Sequence, residues 1–493
     1  MEGQFETPQR TGRRSRFVLP LVLIALGVAL MLITGGFLVM EHLLPQETTP
    51  PILQEQSPSS TPNSAPQQST PPTQPPVTKI STATIGSTGD LLLHNKVIRS
   101  GYDKATDTYN YESIFTYFSA FVSQVDYAVA NLEVTLCGDD NGYEYSGYPC
   151  FNAPDAIVDA AKAAGFDMLL TANNHSFDTR FKGLMRTQEV ILDRKLDHIG
   201  TRYQEDDKNY IIKEINGINI GMICYTYNTG FDSNGNASLN YIPLTAQASR
   251  LVNSFSYEDL DGFYEKLAGE LAGMRDDGAE AVMLYIHWGD EYHTEPNSTQ
   301  KKMAQALCDL GIDVIVGNHA HVPQPVELLT NTQDETKKTL CLYSMGNAIS
   351  NIRRGPGYPP ETEDGLLFKV TFAKYSDGTV VLESADVLPT WVDRYEKDGV
   401  SKFRILTMDN SDRENWQEKM ELTDALLKQC QESYDRTMAI VGKGLETANT
   451  YYSQHQSEVE DEIGITKKKT PADCGRFCVW LYQRQPPALP GVK

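Results

Sequence analysis

Two stretches decide the fold: AVMLYIHWG at residues 281–289 and DVIVGNHAH at residues 313–321. Each opens as a short apolar run, which reads as a buried strand. Each then breaks into a polar cluster, His287-Trp288-Gly289-Asp290-Glu291-Tyr292 and Gly317-Asn318-His319-Ala320-His321. Moving outward, the same design recurs. STATIGSTGD (81–90) ends in Gly89-Asp90, and VDYAVANLE (125–133) ends in Asn131-Leu132-Glu133. FDMLLTANNH (166–175) ends in Asn173-Asn174-His175, with Ser176-Phe177-Asp178 close behind. INIGMICYTY (218–227) and TLCLYSMGN (339–347) are further strands, and 154–164 and 184–196 read as helices. Strands alternating with helices imply an α/β layered domain over 79–395. Its polar clusters fall at strand C-termini, where open α/β sheets place their sites.

The flanks differ in kind. Residues 17–40, FVLPLVLIALGVALMLITGGFLVM, carry no charge and exceed the roughly 20 residues that span a bilayer. Arg10, Arg13, Arg14 and Arg16 precede them, so residues 1–16 are expected in the cytoplasm and the rest outside the cell. The run is longer than the apolar core of a signal peptide, which favours an uncleaved anchor. Residues 41–78 are dominated by Pro, Gln, Ser and Thr and read as a tether. Residues 396–493 read as a C-terminal extension, helical over 412–463 from the spacing of Trp416, Met420, Leu427, Cys430 and Tyr434, and then a tail.

Composition narrows the function. The chain has 493 residues, 40% hydrophobic and 22% charged, with a formal net charge of −22. Such acidity argues against nucleic acid as a partner, and an anionic ligand needs a local positive site to be received. Of the 8 cysteines, Cys137 and Cys150 are expected to close a loop as an extracellular disulfide, and Cys474 with Cys478 could form another. Cys224, Cys308 and Cys341 sit in apolar runs and read as buried thiols. No spacing suits a structural zinc site.

The polar clusters together offer the carboxylates of Asp90 and Glu133, the amide oxygen of Asn174, and the imidazoles of His287, His319 and His321. Mixed oxygen and nitrogen donors suit Mn²⁺, Fe, Zn²⁺ or Mg²⁺. Two such ions bridging a water lower its pKa and clamp a phosphoester. In His319-Ala320-His321, alternate positions on an extended segment would point both rings to one side. Taken alone, each cluster has an ordinary reading as a turn, a cap or a surface loop; their number and common placement at strand ends argue for a site. Trp288 reads as core, and Arg353 and Arg354 as a solvated loop. No serine-hydrolase elbow or phosphate-binding loop is present.

The ordered set GD, NLE, NNHSFD, HWGDEY and GNHAH, followed by Gln324 and SMGN, resembles the CapA/PgsA-type poly-γ-glutamate capsule biosynthesis proteins, of the calcineurin-like metallophosphoesterase superfamily. The resemblance covers about residues 80–395. It implies a four-layer α/β/β/α sandwich with one or two divalent ions between the loops of two sheets. Carried over by position, Asp90 and His321 bind a first ion, Asn174, His287 and His319 a second, and Glu133 bridges them. His175 becomes the general acid, oriented by Asp178. One departure stands out: Leu92 occupies a position where the superfamily has a histidine, unless His94 substitutes. The resemblance further implies an extracellular, membrane-anchored hydrolase-type protein acting on poly-γ-glutamate, another anionic polymer or a phosphoester, with polyglutamate synthase subunits as partners. The alternative is a non-catalytic accessory protein that holds the polymer, or the synthase complex, through the same ions.

Overall fold

Parity along the strands explains the architecture. In the strand Ala281–His287 every residue is buried. Ala281, Met283 and Tyr285 enter one core, while Val282, Leu284 and Ile286 enter another. A strand apolar on both faces must be covered on both, as expected for a parallel strand inside a layered fold. The strand Tyr127–Leu132 behaves the same way: Tyr127 and Val129 face one core, Ala128, Ala130 and Leu132 the other.

The computed structural model describes residues 77–462 except Asn141, with side chains to His455. The expected anchor at 17–40, nearly all of the tether and the tail, including Cys474 and Cys478, lie outside the described residues. No helix among the described residues is long and apolar enough to cross a membrane.

The described chain forms a mixed α/β fold with two large sheets. The first, 8-stranded, runs Val400–Thr407, Val380–Lys397, Asp364–Tyr375, Lys79–Leu91, Tyr127–Leu132, Met168–Leu170, Asp197–Ile199, with Asn347–Ile349 added beside the end of Lys79–Leu91. The second, 7-stranded, runs Ser254–Phe255, Ile218–Tyr227, Ala281–His287, Val314–Asn318, Lys338–Leu342, Val326–Thr330, with Tyr210–Ile215 beside Ile218–Tyr227. The sheets face each other across a core containing Ile85, Val129, Met168 and Leu170 from the first and Met222, Met283, Val314 and Leu342 from the second. Helices Ala156–Ala164 and Arg180–Asp193 pack on the outer face of the first sheet. Leu260–Asp276 and Ser298–Asp309 pack on the outer face of the second. Lys79–Leu91, Tyr127–Leu132 and Met168–Leu170 are parallel, as are Ile218–Tyr227, Ala281–His287 and Val314–Asn318. Within each sheet the C-terminal strand ends therefore gather along one edge.

Three expectations are corrected. The boundary at 395/396 runs through the strand Val380–Lys397, which pairs onward with Val400–Thr407, so the first sheet continues across it. The long helix Asp424–Glu462 is no loose appendage either: Val441, Leu445, Ala448 and Tyr452 enter the core between the sheets. Asp364, fully buried, accepts from Ser433 Oγ at 2.6 Å and from Arg436 at 2.8 and 2.9 Å, pinning that helix to the sheet. The expected Cys137–Cys150 disulfide is not formed. Cys137 is fully buried outside the cluster of Phe177, Leu184 and Leu239, whereas Cys150 is half-buried and packs against it. Cys224, Cys308 and Cys341 are buried free thiols, as read.

Candidate metal centre

The inner-face parity that builds the core also aims the polar strand ends. His287 follows Met283 and Tyr285 on the inward side, and Glu133 follows Tyr127, Val129 and Asn131. Asp90 does not inherit its direction so simply. Thr88 pairs with Ala130 but Asp90 pairs with Asn131, so Gly89 is one extra residue, a bulge. A bulge moves all following side chains to the other face. Without it, Asp90 would share the outward side of Ala130. Gly89 is also sterically required, because a Cβ there would lie 1.8 Å from Gly346 O. The Gly-Asp pair thus turns a carboxylate into the space between the sheets.

The structure brings Asp90, Glu133, Asn174, His287, His319 and His321 together. All are buried. Two sets of converging donors emerge: Glu133, His287 and His319, and Asp90, Glu133 and His321. Glu133 belongs to both. His287 Nε2 is 3.4 Å from Glu133 Oε1, 3.1 Å from His319 Nδ1 and 2.8 Å from Asn174 Oδ1. On the other side, His321 Nδ1 is 3.0 Å from Asp90 Oδ2, and Asn131 Nδ2 donates to Asp90 Oδ1 at 2.8 Å. Asn347 Oδ1 lies 3.2 Å from His321 Nδ1, and Asn347 Nδ2 donates to His321 O.

His319 and His321 do not lie on the extended segment expected of them. Their φ angles are +93° and +54°, in the left-handed region. A non-glycine residue there costs on the order of 1–3 kcal/mol and persists only when its surroundings hold it. The rings converge through this bend, not through strand alternation.

The electrostatics fit a cation. Neither oxygen of Glu133 has a hydrogen-bond donor, and Nδ1 of His287 has no partner. A buried carboxylate without donors is strongly unfavourable unless a positive charge meets it. Burial, and then the charge of Asp90, push the Glu133 carboxyl far above its usual range. Burial holds His287 down to about 3 and holds His319 well below its ordinary value, so both rings are neutral with lone pairs to offer. Burial also opposes ionisation of Asp90 and His321, but their mutual bond and attraction win, lowering the first and raising the second. The donor set suits a divalent metal ion.

His175 and Asp178 form a second pair beside this centre. His175 Nδ1 is 2.8 Å from Asp178 Oδ2, which also accepts from the backbone N–H of Phe151 at 2.6 Å. Asn240 Nδ2 donates to Asp178 Oδ1 at 2.8 Å. The Phe151 ring meets that of His175 edge-on at 4.7 Å. With Asp178 so occupied, Nδ1 of His175 is its donor and Nε2 is the free nitrogen. Leu92 is buried in the apolar core, and His94 uses Nδ1 to accept from Asn351 N–H at 3.3 Å, so neither joins the donor sets. Trp288 is core, fully buried. Arg354 pairs with Glu363 at 2.9 Å, and Arg353 lies 3.9 Å from it. Two residues escaped the sequence reading. Tyr227 carried a signal, since it closes an apolar strand as the others close; Asn240 carried none.

The family described as bacterial capsule synthesis protein PGA_cap matches residues 84–352, more than half of the chain. The chain belongs to that family. It is similar to the capsule biosynthesis protein CapA of Bacillus anthracis, 26% identical over 352 residues, covering 68% of this chain and 75% of that protein. It is also similar to the PGA biosynthesis protein CapA of Bacillus subtilis (strain 168), 24% identical over 337 residues, covering 66% and 77%. Among solved structures, a Staphylococcus aureus protein provisionally named a 5′-nucleotidase, in complex with α-ketoglutarate, aligns with a TM-score of 0.39 at 15% identity, covering 64% of this chain and 56% of that one. The family resemblance read from the motifs is borne out.

Proposed function

We propose that this protein is a membrane-anchored, extracytoplasmic member of the capsule synthesis family that serves poly-γ-glutamate synthesis, export or release through a metal-dependent hydrolase-type site. The observation that carries the metal site is Glu133: buried, shared by two donor sets, and without a donor to either oxygen. Asp90, Glu133 and His321 would hold one ion; Glu133, Asn174, His287 and His319 would hold the other. Bound there, divalent ions would supply positive charge for an anionic substrate and acidify water. The chain's own groups do the rest. Asp178 holds Nδ1 of His175, which leaves Nε2 to carry a proton to a leaving-group oxygen. Asn240 and Phe151 keep Asp178 in place. Polyglutamate synthase subunits are the partners this reading implies, and the charged-residue pattern around 17–40 supports the cell membrane as its location.

The second reading, an accessory protein that holds anionic polymer through the same ions, is favoured by one observation. Leu92 is buried core, so the Asp90 set has three donors where the His287 set has four with Asn174. The test uses the full chain in detergent. Metal content is measured, then hydrolysis of a phosphodiester and of poly-γ-glutamate with and without Mn²⁺. Retained metal with turnover lost in His175→Ala supports the enzyme. Metal without turnover on either substrate supports the accessory role. No bound metal sinks both.

A further inference from the structure

We infer that Tyr227 is a positioning residue for the metal centre: its phenol oxygen holds the outer nitrogen of His319 and so turns the inner nitrogen toward Glu133 and His287. This rests on the metal-site reading above.

The argument begins with the two nitrogens of one ring. His319 Nδ1 lies 3.1 Å from His287 Nε2, on the side where Glu133 and His287 converge. His319 Nε2 lies 3.1 Å from Tyr227 Oη. A neutral imidazole carries one hydrogen, and the nitrogen that offers a lone pair to a cation cannot carry it. If Nδ1 is the ligand, Nε2 must be the donor, and Tyr227 Oη is the acceptor placed to receive it. Such outer partners set both tautomer and ring orientation of a ligating histidine.

The rest of the environment shows why a holder is needed. His319 sits at a φ of +93°, which its own backbone does not favour. Tyr227 also braces the centre by its ring, parallel to His287 at 6.5 Å and tilted over His319 at 4.9 Å. Its own position is set by the second sheet. Thr226 pairs with His287 and Tyr227 with Phe255, so Tyr227 ends its strand level with the ligand end of the neighbouring one. Tyr257 packs against its other side at 5.8 Å. Among the three imidazoles of the donor sets, His319 is the one whose outer nitrogen meets a phenol; Nδ1 of His287 has no partner at all.

The test is a Mn²⁺ titration of the full chain in detergent, followed by the electron paramagnetic resonance signal of free Mn²⁺. Wild type is compared with Tyr227→Phe, which keeps the ring and removes the oxygen, and with Tyr358→Phe as a control at another tyrosine. The expected result is a loss of about 10- to 100-fold in Mn²⁺ affinity for Tyr227→Phe. The apo melting temperature should be unchanged, and the control should bind as wild type does. Should Tyr227→Phe prove unstable without metal, it is loaded with Co²⁺ and its visible absorption compared with that of Co²⁺-loaded wild type. A changed ligand-field spectrum then supports the role, and an unchanged one overturns it. Unchanged affinity in Tyr227→Phe, with wild type binding Mn²⁺, overturns this inference alone. Failure of wild type to bind Mn²⁺, Zn²⁺ or Co²⁺ overturns the metal-site reading beneath it.

Discussion

Replacing Glu133 by Gln should make the metal-free protein more stable and the metal-loaded protein less so. Glu133 is fully buried and both its oxygens lack donors. Its nearest positive potential comes from imidazoles, His287 Nε2 at 3.4 Å and His321 Nε2 at 3.9 Å. An uncompensated buried charge costs several kcal/mol, and the neighbouring rings and proton uptake offset part of that. Glutamine keeps the shape and drops the charge, while its amide brings a donor that the neutral rings can accept. The net gain for the metal-free protein is on the order of 1–3 kcal/mol. At about 2–4 °C per kcal/mol for a domain of 150–250 residues, and somewhat less for a larger one, this is a rise of a few degrees. Metal acts in the opposite sense. At a hundredfold excess over its dissociation constant, an ion adds about 2.7 kcal/mol to the wild type. The variant, lacking the shared carboxylate, should gain little of this. Thermal melts in chelator and in Mn²⁺ therefore reverse in order between the two proteins. A variant that melts below wild type in chelator, and gains as much from Mn²⁺, would refute the assignment of Glu133 as a shared ligand.

Other outcomes follow from the same geometry. Asp178→Asn removes the charge that Nδ1 of His175 faces while leaving the six ligand-set residues untouched; phosphodiester turnover should fall about 10- to 100-fold at saturating Mn²⁺ with metal content unchanged. Two glycines in the long helix should respond oppositely to alanine. Gly442→Ala should raise the melting temperature, worth about 0.5–1 kcal/mol, because only Met438 Cε, at 3.5 Å, is near. Gly444→Ala should lower it, since the new Cβ would lie 1.7 Å from Val326 O and the helix must lift from that strand. Burial raises the Asp364 carboxyl to about 6 against the pull of Arg436 and Ser433. A folded value above the unfolded one means that its contribution is complete below about pH 4 and is lost as pH rises through 6, by roughly 1.4 kcal/mol per unit. Urea melts of wild type and Asp364→Asn should therefore draw apart across that window, wild type losing ground as pH rises; a constant difference would refute the coupling.

How much of this was legible in the residues varies from element to element. The strand Ala281–His287 was plain because it is apolar on both faces and ends in a polar run. All six donors were legible for the same reason: a buried parallel strand has no use for a polar residue until its end. Spacing after 395 signals a helix and no more, while the burial of that helix depends on an edge of the sheets that spacing does not reveal. Spacing does not fix the cysteine pair, because it measures chain length and not what each thiol packs against: Cys150 lies on the cluster of Phe177 and Leu184, and Cys137 is not part of it. Asn240 carried no periodic signal, and its role exists only because its segment crosses beside Asp178.

The sequence by itself determined the layered α/β class, the family and the identity of the donors, because strand periodicity and local motifs are properties of neighbouring residues. Tertiary structure alone decided what the donors do together. The bulge at Gly89 turns Asp90 inward, and left-handed bends at His319 and His321 bring two rings to one carboxylate. The Lys79–Leu91 strand ends far along the chain from His321, yet Asp90 and His321 stand 3.0 Å apart. A carboxylate common to two donor sets, its lack of hydrogen-bond donors and the 3.1 Å contact of Tyr227 Oη with His319 Nε2 are relations between distant segments, and only packing two sheets face to face creates them.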